Sequence, residues 1–237
     1  MWRDEALEEM DLGPIWRLRG GAAPEAPASP PAREPRVEYE QSDLSRSDRI
    51  ARMDWKTLRE AVAGCRDCAL CGSRRNTVFG TGPERARLLV VGEAPGQEED
   101  ATGEPFVGQA GRLLDAMLAS IGMRRGVELF IANVLKCRPP GNRNPEPFEV
   151  EQCSPFLRRQ IALLQPQLIV AMGRFAAQTL LSSEASIASL RSRSLRFEGV
   201  PLLVTYHPAY LLRTLADKAK AWEDLLAMRR QLAPSSG

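Results

Sequence analysis

The spacing of apolar and polar residues changes along the chain. A helix is predicted over 55–63. Residues 87–92 form a short apolar run ending in Gly92, the pattern of a strand buried on both faces. Over 110–121, Leu113, Leu114, Met117, Leu118 and Ile121 recur at helical spacing. Further apolar runs at 129–135, 167–172 and 202–206 predict strands. Helices are predicted over 147–164, from Arg174 onward, and from the last strand to near Leu232. Strands that alternate with helices predict an α/β fold. The expected architecture is a single three-layer αβα domain around a four-stranded parallel sheet. Such sheets bind ligands at the carboxyl ends of their strands. The segments to inspect are therefore 92–96, 133–138, 172–174 and 207–213. No internal repeat is found.

The first fifty residues break this rhythm. The stretch 20–35 is rich in Pro, Ala and Gly and buries little apolar surface, so residues 1–50 are expected to form a flexible N-terminal extension. Within it, Trp2, Leu7, Met10, Leu12, Ile15 and Trp16 suffice for a short amphipathic helix, either a tail without its own function or a partner-binding peptide. Residues 51–237 form the expected folded domain.

Composition narrows the class. The 237 residues are 43% hydrophobic and 26% charged, as in a globular protein. The net charge is +2, but residues 1–50 carry seven arginines and eleven acidic groups, which leaves the body at +6. A mildly basic body is compatible with nucleic acid without proving it. No apolar stretch is long enough for a membrane span, and the N-terminus lacks a secretory pattern, so a cytoplasmic location is expected. Five cysteines in such a chain favour metal or cluster ligation over disulfides.

The strand ends carry the candidate chemistry. Gly92-Glu93-Ala94-Pro95-Gly96 forms a tight turn, followed by the acidic run Glu98, Glu99, Asp100 and by a glycine-rich loop containing Phe106. A glycine-rich loop alone is weak evidence, and the phosphate-binding G-x-x-x-x-G-K pattern is absent. Asn133 closes the second strand and Lys136-Cys137-Arg138 follows. His207, the chain's single histidine, stands just past the fourth strand. Cys65-x2-Cys68 and Cys137-x15-Cys153 make two thiolate pairs that suit zinc or an iron–sulfur cluster. Cys71 extends the first pair, but the Cys-Pro that completes a ferredoxin run is missing.

The segments GEAPGQEEDATGEPFVGQAGRLL (92–114), NVLKCRPPGNRNP (133–145) and HPAYLL (207–212) resemble the iron–sulfur uracil-DNA glycosylases, the fourth family of the uracil-DNA glycosylase superfamily. The resemblance covers roughly 58–226. It implies a hydrolase that flips uracil out of DNA and cleaves its N-glycosidic bond, initiating base excision repair of deaminated cytosine. It implies a 4Fe–4S cluster on Cys65, Cys68, Cys137 and Cys153, with Cys71 outside the ligand set. It places uracil among Gly92, Glu93, Ala94, Glu99, Phe106, Asn133 and His207, with His207, Glu93 and Asn133 catalytic.

In that reading Phe106 stacks on the base, and the Asn133 carboxamide donates to uracil O4 and accepts from N3–H. Cytosine reverses both positions. His207 stabilises negative charge growing at O2. Ala94 stands where the superfamily's best-known branch carries its water-activating aspartate, so that carboxylate is missing here; of the nearby carboxylates Glu93, Glu99 and Asp100, Glu93 is expected to contact uracil and Glu99 to shape the pocket near uracil C5. The expected partner is uracil-containing DNA, single- or double-stranded, bound by a monomer. Arg74, Arg75, Lys136, Arg138, Arg143 and Arg213 are candidates for phosphate contacts, and Tyr210 or Leu211 for a wedge into the gap left by the flipped base. Two other readings remain: a superfamily member that holds uracil-DNA tightly or takes another damaged base, and a non-catalytic iron–sulfur DNA-binding module.

Overall fold

The computed structural model describes residues 44–191 and 193–233. The amphipathic stretch and the Pro-rich linker lie outside the described residues. The described unit starts at Leu44. Residues 46–51, part of the expected extension, instead form helix α1 (Arg46–Ala51), capped by the Ser45 hydroxyl. Arg46 secures it, donating to the Gln152 carbonyl at 2.9 Å and stacking on Phe156.

The sheet has five strands in the order β2-β1-β3-β5-β4: β1 Leu88–Gly92, β2 Leu129–Asn133, β3 Leu168–Met172, β4 Leu195–Phe197 and β5 Val200–Thr205. Four are parallel, as the alternation predicts. The fifth, β4, pairs antiparallel with β5 and corrects the four-stranded expectation. Its three residues, Leu-Arg-Phe, offer no apolar run. Glu198 and Gly199, both at positive φ, make the two-residue turn that returns the chain into β5.

Residues of β1 point alternately to two cores. Leu89 and Val91 face α2 (Trp55–Gly64), α5 (Pro147–Leu164) and α6 (Arg174–Leu181). Leu88 and Val90 face α4 (Gln109–Ser120) and α9 (Lys218–Leu232). This two-faced burial is the three-layer arrangement. A short helix α3 (Gln97–Thr102) interrupts the predicted 92–111 loop. A one-turn helix α7 (Ile187–Leu190) precedes β4, and the single helix expected before Leu232 is split into α8 (Pro208–Arg213) and α9 by a turn over 215–217. Among the described residues no helix is long and apolar enough to cross a membrane.

Candidate functional site

The carboxyl ends of β1, β2 and β5 converge. Gly92 and Asn133 are ladder partners at the last register of β1 and β2. A Cβ on Gly92 would lie 2.4 Å from Asn133 Oδ1 and 2.6 Å from Phe106 Cζ, so both side chains close over a bare backbone. Asn133 is 2% exposed, and its Oδ1 is the one buried side-chain N or O atom without a hydrogen-bond partner among the described residues. A buried acceptor left unpaired costs stability unless a ligand supplies the donor.

Phe106 adopts φ +53, a left-handed conformation unusual for an aromatic residue. Its ring centre lies 5.5 Å from that of His207 at a 31° tilt. Glu99 supports this loop, its Oε1 accepting from the N–H groups of Val107 (2.9 Å) and Gly108 (3.1 Å). Glu99 therefore acts on the loop backbone.

His207 caps α8, and its Nδ1 accepts from the Ala209 N–H at 3.1 Å. That bond assigns the ring proton to Nε2. Burial first, then the positive Arg213, push the His207 pKa down to about 4, against the opposing pull of Glu99. The ring is thus a neutral N–H donor at physiological pH. Behind it, Gly173 (φ +89) leaves no room for a Cβ, which would lie 2.8 Å from His207 Cβ.

Burial raises the Glu93 carboxyl above the usual range, with Arg174 opposing. Asp100 is turned away from the pocket: its Oδ1 accepts from the backbone N–H groups of Arg75 (2.9 Å) and Asn76 (3.3 Å). Ala94 is half-buried against the first core.

All five cysteines are free and line one cavity, with Lys136, Arg74 and Phe156 among its other walls. Arg74 Nη1 donates to Cys137 Sγ at 3.0 Å, and the Lys136 N–H to Cys153 Sγ at 3.2 Å. Burial pushes the Cys153 thiol up to about 12 against the opposing Lys136, raises Cys137 against Arg74, and raises Cys65 against the Asp67 N–H. Soft donors gathered around one cavity and met by N–H groups fit a thiolate-bound cluster. Among the described residues no three Cys, His, Asp or Glu side chains converge closely enough to hold a single metal ion.

The basic candidates divide. Lys136 is 1% exposed, with Nζ donating to the Asn133 carbonyl (2.8 Å) and to Gln160 Oε1 (2.6 Å), so it is an internal brace and no phosphate contact. Arg74 serves Cys137 and the carbonyls of Ala63 and Cys65. Arg143 grips both oxygens of buried Glu149, at 2.9 and 2.6 Å. Arg138 is half-buried and donates to Asn142 Oδ1. Arg213 is exposed beside His207. Leu211, proposed as a wedge, is 1% exposed and sits in the second core, because the first turn of α8 points it inward. Tyr210 and Leu212 are the exposed apolar side chains of that turn.

Sequence reading singled out the 172–174 segment without giving Gly173 a role, and assigned Lys136 to phosphate contact rather than to an internal brace. Gly173 carries a signal, since a glycine directly after a strand end marks a close approach. Lys136 carries none, since a lysine in a polar loop reads as exposed.

A buried carboxamide, an aromatic ring and a neutral imidazole thus stand together at the carboxyl ends of the sheet's parallel strands in a three-layer α/β protein. Residues 79–226 match the uracil DNA glycosylase superfamily, and the chain belongs to that family. It is 46% identical over 159 residues to the type-4 uracil-DNA glycosylase of Archaeoglobus fulgidus, covering 64% of this chain and 79% of the relative. It is 41% identical over 181 residues to that of Pyrobaculum aerophilum (73% and 92% covered), and 42% over 163 residues to that of Thermotoga maritima (68% and 84%).

Proposed function

We propose that this chain is a uracil-DNA glycosylase that hydrolyses the N-glycosidic bond of deoxyuridine and so opens base excision repair. The unpaired Asn133 Oδ1 carries this reading. Uracil N3–H supplies the missing donor, and the amide nitrogen of the same group donates to O4. Cytosine presents an acceptor at N3 and a donor at C4, which leaves buried polar atoms unpaired at roughly 1–3 kcal/mol each. A base reaches this depth only when flipped from the stack. Phe106 then stacks on it, which adds affinity without choice.

As the glycosidic bond breaks, its electron pair moves onto the uracil ring, and charge gathers at O2. His207 Nε2–H is the donor set for that charge, with the Gly92–Ala94 backbone beside it. Glu93 lies at the same turn, next to the bound base, and contributes to its charge pattern. The sugar becomes cationic, and DNA phosphates stabilise it. Arg213 and Arg138 hold the phosphates at the mouth. The chain is proposed to act as a monomer.

Cys65, Cys68, Cys137 and Cys153 are proposed to hold a 4Fe–4S cluster. When bound it supplies iron–thiolate bonds that tie the segment around residues 65–68 to Cys137 after β2 and Cys153 on α5. The chain's own contribution is the N–H···S set from Arg74 and Lys136. Iron and acid-labile sulfide in equal amounts would support the cluster, and zinc would refute it.

The test is release of free uracil from an oligonucleotide with one deoxyuridine, beside thymine and hypoxanthine controls. Prompt release from the uracil strand alone is expected. Retention of uracil by iron-loaded protein would refute the hydrolytic reading.

A further inference from the structure

We propose that Arg125 is a positioning residue that presets Phe106 over the base pocket. This rests on the reading of Phe106 as the stacking platform. Arg125 lies in the connection between α4 and β2, where its backbone bridges to Leu129 at the start of β2. From that fixed base its guanidinium reaches the Phe106 loop. Nη1 donates to the Pro105 carbonyl at 2.5 Å and Nη2 to the Phe106 carbonyl at 2.7 Å. Nε donates to Asp115 Oδ1 on α4 at 3.0 Å, which orients the fork. Two adjacent carbonyls held by one planar group fix the peptide between them.

An independent observation says this peptide needs fixing. Phe106 stands at φ +53, where a side chain crowds its own backbone. Such a conformation persists only when its surroundings over-determine it. Glu99 holds the following N–H groups of Val107 and Gly108. Gly111 leaves space for the Phe106 carbonyl, which would stand 1.7 Å from a Cβ at that position. Carbonyls on one side and N–H groups on the other are thus held by opposite charges. Without Arg125 the loop has a route back to ordinary φ, and the ring leaves its place beside His207.

The test is a double-mutant cycle on Arg125→Ala and Phe106→Ala, read as inhibition of cleavage by free uracil and as KM against kcat. Base–aromatic stacking lost on Phe106→Ala is expected to raise the uracil inhibition constant about tenfold. Arg125→Ala is expected to raise it about fivefold or more in the native background and by less than about twofold in the Phe106→Ala background, since coupled residues are non-additive. Most of the loss is expected in KM. Arg125→Lys, which keeps one donor, is expected to recover part of it. Thermal melting reports folding separately.

Equal effects of Arg125→Ala in both backgrounds would overturn the proposal, since Arg125 would then act elsewhere than through Phe106. So would an unchanged inhibition constant in a folded variant. If the native chain neither releases uracil nor is inhibited by it, the function reading fails first, and that outcome is visible without any variant.

Discussion

Gly92 shows how one missing side chain makes the site. Its Cα sits where Asn133 and Phe106 meet, and a methyl group there would lie within 2.7 Å of both. Gly92→Ala is therefore expected to leave the fold intact while lowering kcat/KM by about tenfold or more, because misplacing a reading group is costly. Melting and excision kinetics on one sample check both halves. His207 makes a sharper case. Its pKa near 4 means it works as a neutral donor. His207→Ala is expected to slow single-turnover cleavage by about 10²–10³-fold, the usual loss for one such donor.

The same group sets a pH dependence. The folded pKa lies below the free value of 6.5. Between about 4 and 6.5 the unfolded chain binds more protons at this residue. Stability from His207 is therefore full above 6.5 and is lost as pH falls toward about 4. The rate should show no break at 6.5. A pH–rate profile with an ionisation there that vanishes in the His207 variant would contradict the neutral-donor role.

At the level of elements, the end of β2 and the turn after it do two jobs in five residues. Asn133 faces the pocket while Lys136 folds back on its carbonyl and Cys137 faces the cysteine cavity. Lys136→Met would leave the Asn133 carbonyl and Gln160 Oε1 without their donor. Each loss is worth about 1–3 kcal/mol, read by urea unfolding. A surface lysine would show almost none. Leu211→Ala gives the parallel test for α8: a core leucine costs about 2–5 kcal/mol when truncated, whereas an exposed wedge would leave stability unchanged.

These elements also show what the sequence makes legible. Buried parallel strands announce themselves because both faces need apolar residues, so β1, β2, β3 and β5 stand where the runs predict. The β4 hairpin is hidden because an edge strand of three residues, none of them fully buried, needs no such run. Asn133, Phe106 and His207 were legible through their motifs, and the structure brings them together. The roles of Lys136, Arg143 and Leu211 were not, since periodicity records neither which partner a cation finds nor which way a short helix turns its side chains.

Across the whole molecule, a short chain of hydrogen bonds connects the cysteine cavity to the pocket. Asp100 ties the Arg75–Asn76 backbone to α3, whose Glu99 holds the Phe106 loop. Arg74, one residue earlier, donates to Cys137. Stripping iron by chelation is therefore expected to lower the melting temperature and to weaken uracil inhibition together. Loss of stability with unchanged uracil inhibition would show that the two sites are independent.

The central claim is that Asn133 reads the uracil edge through its unpaired oxygen. Asn133→Asp tests it most directly, with uracil and cytosine released from matched oligonucleotides in one assay. Uracil release is expected to fall while cytosine release rises, so the preference narrows or inverts. An Asn133→Asp variant that folds, keeps native uracil release and still ignores cytosine would contradict it.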